Sequence, residues 1–157
     1  MAREIDAPYI RPVAAALYNR DILRVAAAIP HLGRLDAPQA SATRRSPVCG
    51  STVTVDIVVD DQGRVAALGQ EVRACALGQA SAALMGAHAL GCRPEELAEA
   101  RDALAGYLAE RRDDPGGWPG LDLFRNARPY SARHPSILLA FEAAAEAAAR
   151  AAAETAR

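Results

Sequence analysis

An α+β fold, a small antiparallel sheet with helices packed on one face, follows from three observations. The only clear period-2 apolar pattern is confined to residues 52–72. The segments around it carry helical periodicity instead. Alanine is abundant and aromatic residues make up 4% of the chain, so small side chains and close-lying helices should dominate. A sheet this small must cover an apolar face with helices to form a core. The 157 residues suit a single domain, 1–157.

The elements follow in order. LYNRDILRVAAAI, 17–29, has apolar residues at 17, 22, 25, 26 and 29, close to helical spacing. Pro30 and Gly33 close it, and a polar connector rich in turn formers runs to Pro47. In 52–59, Val53, Val55, Ile57 and Val59 fall on one face, with Thr52, Thr54 and Asp56 on the other. DDQG, 60–63, is a hairpin turn in which Gly63 is free to take positive φ. RVAALGQEV, 64–72, returns as the second strand. A third strand is expected from 34–46 or from elsewhere.

Residues 75–90 read as a helix whose Ala76, Ala80, Ala83 and Ala87 form a ridge that would let it lie close to the sheet; Gly91 ends it. The next helix begins at Pro94, a residue suited to the first helical position, with Glu95 and Glu96 at the positive end of its dipole and Arg111 and Arg112 at the negative end. Leu97, Ala100, Leu104, Tyr107 and Leu108 form its apolar stripe. DPGGWPG, 114–120, is a loop in which Trp118 is expected to cap the edge of the core. LDLFRNA supplies one or two helical turns. An alanine-rich helix, 136–157, ends the chain; it is helical on propensity, with a fraying end.

Lys+Arg is 18 and Asp+Glu is 19, a balance that argues against a nucleic-acid binder. No run of about 18 apolar residues could span a membrane. MAREIDAPYIRP lacks the apolar core of a secretory signal, so a cytoplasmic location is expected. No convincing Ser/His/Asp order, phosphate-binding glycine loop or carboxylate pair points to an enzyme.

The chemistry lies in the cysteines. Cys49 precedes the first strand of the hairpin, and Cys75 follows the second at the start of a helix. The beginning of one hairpin strand neighbours the end of the other, so both thiols should meet at one end of the sheet. Gly50 lets the backbone approach closely, and the helix N-terminus at Cys75 favours negative charge. Thiolates so placed suit soft metals and iron–sulfur clusters. Cys92, in the turn between two helices, is expected to be structural, and His31 and His88 to face solvent or pack on helices.

PVCGSTVTVDIVVDDQGRV together with ACALGQASAALM resembles the NifU/IscU group of iron–sulfur cluster assembly scaffolds. That group opens a strand with Pro-x-Cys-Gly-Asp and a helix with Gly-Cys-small-hydrophobic-Ser-x-Ala-Ser. The N-terminal helix, RPEELAEA and ARHPSILLAFEA are similar to further segments of it, so the resemblance covers nearly the whole chain. It implies a non-enzymatic scaffold that receives sulfur from a cysteine desulfurase, works with other iron–sulfur assembly proteins and holds a [2Fe–2S] cluster, or zinc in some members. Carried over, Cys49 and Cys75 match two of three ligand cysteines, and His134 matches a neighbouring histidine.

The chain departs from the pattern in three places. Ser51 stands at the aspartate, Gly78 at a serine, and either Pro135 or Ser136 at the third cysteine. Proline has no donor atom, and a hydroxyl is a poor ligand for a soft metal. A cluster here is therefore expected to be weaker, open to exchange, or completed by a second subunit or an outside thiol; zinc held by Cys49, Cys75, His134 and a water is the alternative. The rival expectation is a homologue without a stable metal site that acts as a protein-binding module or a persulfide carrier.

Overall fold

The computed structural model describes residues 17–156, and the reading of the N-terminal dodecapeptide lies outside them. The elements are α1 (Arg20–Ala26), β1 (Ala40–Arg45), β2 (Thr52–Val59), β3 (Val65–Arg73), α2 (Ala76–His88), α3 (Pro94–Leu108), two 3-10 helices (Leu121–Ala127 and Ser131–Arg133) and α4 (His134–Thr155). The three strands form one antiparallel sheet in the order β1-β2-β3. The third strand expected from 34–46 is therefore β1, an edge strand beside β2.

Val53, Val55, Ile57 and Val59 are buried on one face of β2, as their alternation requires. Val65 and Leu68 are both buried although their spacing is odd. A register shift at Val58/Val59 explains this, because it pairs Val59 with Val65 but Ile57 with Leu68.

The helix that covers this face is α4. It crosses β1 and β2 and is flanked by α2 and α3. Its alanines carry the contact: Ala140, Ala143, Ala144, Ala147, Ala148 and Ala151 are fully buried. The absence of longer side chains lets the helix backbone approach the strands. The alanine-rich tail, expected to rest on propensity alone, is thus the central helix of the core. Conversely, α2 does not use the expected ridge against the sheet. It packs mainly on α1 and α4, and Ala87 is exposed.

The opposite face of the sheet is also partly covered. The connector after α1 crosses β3 through hydrogen bonds from Gly33 N to Gln70 O (2.8 Å) and from Gln70 N to His31 O (2.9 Å). A Cβ on Gly69 would stand 2.5 Å from Gly33 O, so glycine is required beneath the crossing. Asp56, expected on a polar face, is buried under this connector. It accepts from Arg34 Nε (2.8 Å), Arg34 Nη2 (3.0 Å), Leu35 N (3.0 Å) and Ser41 Oγ (2.5 Å). A buried carboxylate needs such a complete set of donors.

Helix ends differ from expectation by a few residues. α1 begins only after Asn19, whose Oδ1 accepts from Ile22 N at 3.0 Å. α3 stops at Leu108, so Arg111 and Arg112 lie beyond it and Arg112 pairs with Asp114 at 3.1 Å. The predicted stripe of α3 is buried throughout. Trp118 caps the core edge: its indole N–H donates to Leu84 O at 2.9 Å and its ring meets Phe141 edge-on at 5.3 Å.

Candidate functional site: a serine-bridged thiol pair

The turn from β1 to β2 is SPVCGS, residues 46–51. Hydrogen bonds from Ser46 N to Ser51 O (2.8 Å) and from Gly50 N to Ser46 O (3.0 Å) close it. Gly50 takes φ of 75°, which carries the chain back into β2. Cys49 is exposed at the tip of this turn. Cys75 is the N-cap of α2, directly after β3, and is half-buried. Because Thr52 pairs with both Arg45 and Arg73, the turn and the cap lie at the same end of the sheet.

The first turn of α4 comes to that same end. Ser136 Oγ lies 3.2 Å from Cys49 Sγ and 3.6 Å from Cys75 Sγ. The two sulfurs are therefore no further apart than the sum of these distances. Ser51 Oγ adds a contact of 3.0 Å to Cys49 Sγ and lies 3.2 Å from Ser136 Oγ. Of the two positions weighed for the third cysteine, it is Ser136, not Pro135, whose side chain faces the pair. Gly78 allows this approach, since a Cβ there would meet Ala74 Cβ at 2.7 Å and Ser136 O at 3.2 Å.

This setting acidifies Cys49. The hydroxyls of Ser136, Ser46 and Ser51, in that order, and the Ser51 backbone stabilise its thiolate and lower its pKa from 9.0 to about 6. Cys92 behaves oppositely: burial and then Glu96 push its thiol up. Tyr18 also belongs to the site. Its phenol is raised, first by burial and then by Cys75, and Arg133 stands over its ring at 6.0 Å.

Sequence reasoning found Cys49 and Cys75 but treated Ser51 and Ser136 only as missing ligands. It passed over Ser46 and Tyr18. The readable signal for Ser46 was that serines bracket the cysteine turn on both sides.

The sequence matches no family model and no curated protein. Among solved structures, the N-terminal part of a nitrogen-fixing NifU-like protein from Brucella abortus is 40% identical, with a TM-score of 0.82 over 88% of this chain and 96% of that one. The chain belongs to the NifU-like N-terminal family. A second structure, from Fervidobacterium islandicum and described as a candidate iron–sulfur cluster assembly scaffold for the SUF system, shares this NifU-like fold. It is 18% identical, with a TM-score of 0.78 over 86% of this chain and 98% of that one.

The donor set of this NifU-like site differs from what a resident cluster needs. A [2Fe–2S] cluster takes four ligands, usually thiolates, and structural zinc takes four nitrogen or sulfur donors. Among the described residues no three His, Cys, Asp or Glu side chains gather closely enough to hold a metal. His134, expected as a third ligand, turns its Nε2 to Ala127 O (2.9 Å) and Arg128 O (3.1 Å) and ties α4 to the end of the 3-10 helix Leu121–Ala127. The set Cys49, Cys75 and His134 is thus not assembled in this structure, for a [2Fe–2S] cluster or for zinc. Two thiols and three hydroxyls do not by themselves make a closed site for either.

Proposed function

We propose that this NifU-like chain, a single domain over 1–157, is a non-enzymatic iron–sulfur cluster assembly scaffold. It carries or relays its cargo, a [2Fe–2S] cluster or its metal, at Cys49 and Cys75. The remaining ligands come from outside: from a cysteine desulfurase or another assembly protein, a second copy, or a free thiol. The supporting observation is that both sulfurs converge on Ser136 Oγ at an exposed sheet end. The family relationship to a NifU-like protein agrees with it. Among the described residues no helix is long and apolar enough to cross a membrane, and a cytoplasmic setting would keep both thiols reduced.

The test is anaerobic reconstitution with iron and sulfide, with and without a small thiol, read by visible absorption and bound iron. The expected result is thiol-dependent iron that disappears in Cys49→Ala and Cys75→Ala. Equal iron in wild type and the double variant would refute the reading.

A second reading is favoured by the acidity and exposure of Cys49: sulfur arrives there as a persulfide and needs no full ligand set. Mass spectrometry after incubation with a desulfurase and cysteine should then show one added sulfur on Cys49, not on Cys75.

A further inference from the structure

The two thiols differ in a way that cargo binding does not require. Cys49 is exposed at a turn tip, whereas Cys75 is half-buried at a helix cap, and both touch one hydroxyl. An exposed thiol with a sheltered thiol close behind it is the arrangement needed for disulfide exchange, in which one sulfur attacks and the other resolves. Cationic side chains border this end of the sheet. Arg45 and Arg73 are exposed and flank Thr52 on the face away from the helices, and Arg133 is exposed before α4. Among the described residues none of the three forms a salt bridge. Glu71, on the same face, lies one row further from the rim.

We propose that Cys49 and Cys75 form a dithiol–disulfide couple that exchanges with small anionic disulfides, of which oxidised glutathione is the type. The Cys49 thiolate attacks one sulfur of the small disulfide. That S–S bond breaks, one glutathione leaves as thiolate, and a mixed disulfide remains on Cys49. Cys75 then releases its proton to solvent and attacks Cys49 Sγ, and the second glutathione leaves. Two protein thiols are oxidised and one small disulfide is reduced to two thiols. The hydroxyl of Ser136, which accepts from Cys75 and faces Cys49, holds both sulfurs near one point for the second step. Exchange closes the cargo site, because neither sulfur of a disulfide remains a thiolate.

The couple is tested on the full, reduced, metal-free chain treated with oxidised glutathione, quenched with iodoacetamide and mapped by mass spectrometry. Wild type should lose two hydrogens and join the Cys49 and Cys75 peptides while Cys92 is alkylated. Cys75→Ser and Cys75→Ala should both stop at a glutathione adduct on Cys49. Cys49→Ala should react at least about tenfold more slowly at pH 7. Oxidised glutathione should outpace cystamine, a cationic disulfide, and the difference should shrink with salt. A wild-type adduct as long-lived as that of Cys75→Ser would overturn the couple, as would undiminished reaction of Cys49→Ala. Cystamine reacting as fast as oxidised glutathione would overturn the substrate class. No arm uses iron, so a failed cluster reconstitution leaves this result standing, and the reverse also holds.

Discussion

Ser136 accepts a hydrogen bond from the Cys75 thiol at 3.6 Å and turns the same hydroxyl toward Cys49 Sγ at 3.2 Å. One side chain from the C-terminal helix thus touches both thiols and is the largest stabiliser of one of them as thiolate.

Replacing Ser136 with Ala should return the Cys49 pKa from about 6 toward the ordinary thiol range, because its hydroxyl is the largest stabiliser of the thiolate. The midpoint of the pH dependence of Cys49 alkylation reports this directly. The folded-state pKa lies below the unfolded one, so the thiolate contributes stability that is present above pH 9 and fades as pH falls through 6. In Ser136→Ala the stability between those limits should vary less with pH.

Ser136→Cys should supply the third thiolate that the site lacks. Iron bound after anaerobic reconstitution should be lost to a chelator at least about tenfold more slowly than from wild type. Iron loss at the wild-type rate would mean that the first turn of α4 does not present this side chain to the pair.

Gly69→Ala should cost about 1–3 kcal/mol in denaturant unfolding, because its Cβ would collide with the backbone oxygen of Gly33 and neither strand nor connector can yield independently.

Asp56→Asn should cost about 2 kcal/mol; half-exposed Arg34 recovers part of its solvation, which limits the loss. Burial alone would raise the Asp56 carboxyl, but Arg34, Ser41 and the Leu35 N–H outweigh it and hold it below the usual carboxylate range. The contribution is therefore present above the unfolded carboxylate pKa and lost as pH falls through the lower folded one. Wild type should lose stability in acid more steeply than Asp56→Asn.

Ala147→Leu should destabilise by about 1–3 kcal/mol through overpacking, whereas Ala149→Leu, on the exposed side of the same helix, should change little. Thermal unfolding of the two variants separates the effects.

The hairpin, the α3 stripe and the meeting of Cys49 with Cys75 were legible because each depends on local periodicity or on hairpin geometry. What was not legible depends on long-range seating. A run of alanines carries no periodic signal, so the sequence did not reveal that α4 covers the sheet. Asp56 looked like a solvent-face residue because the alternation of β2 says nothing of a connector from residues 30–39 folding over it. Ser136 was visible only as an absent cysteine, since nothing local shows that its hydroxyl would touch both sulfurs. His134 followed its neighbours in sequence, but its ring is claimed by the carbonyls of Ala127 and Arg128.

The alanine face of α4 has a reach beyond stability. Ser136 rides on a continuous rod whose far turns are wedged between strands and helices, so a substitution near Ala148 that nudges the rod along its axis also displaces the hydroxyl at its tip. Proton affinity at the turn is in this way geared to snugness three turns away, and thiol titration becomes a gauge of how well the interior fits together.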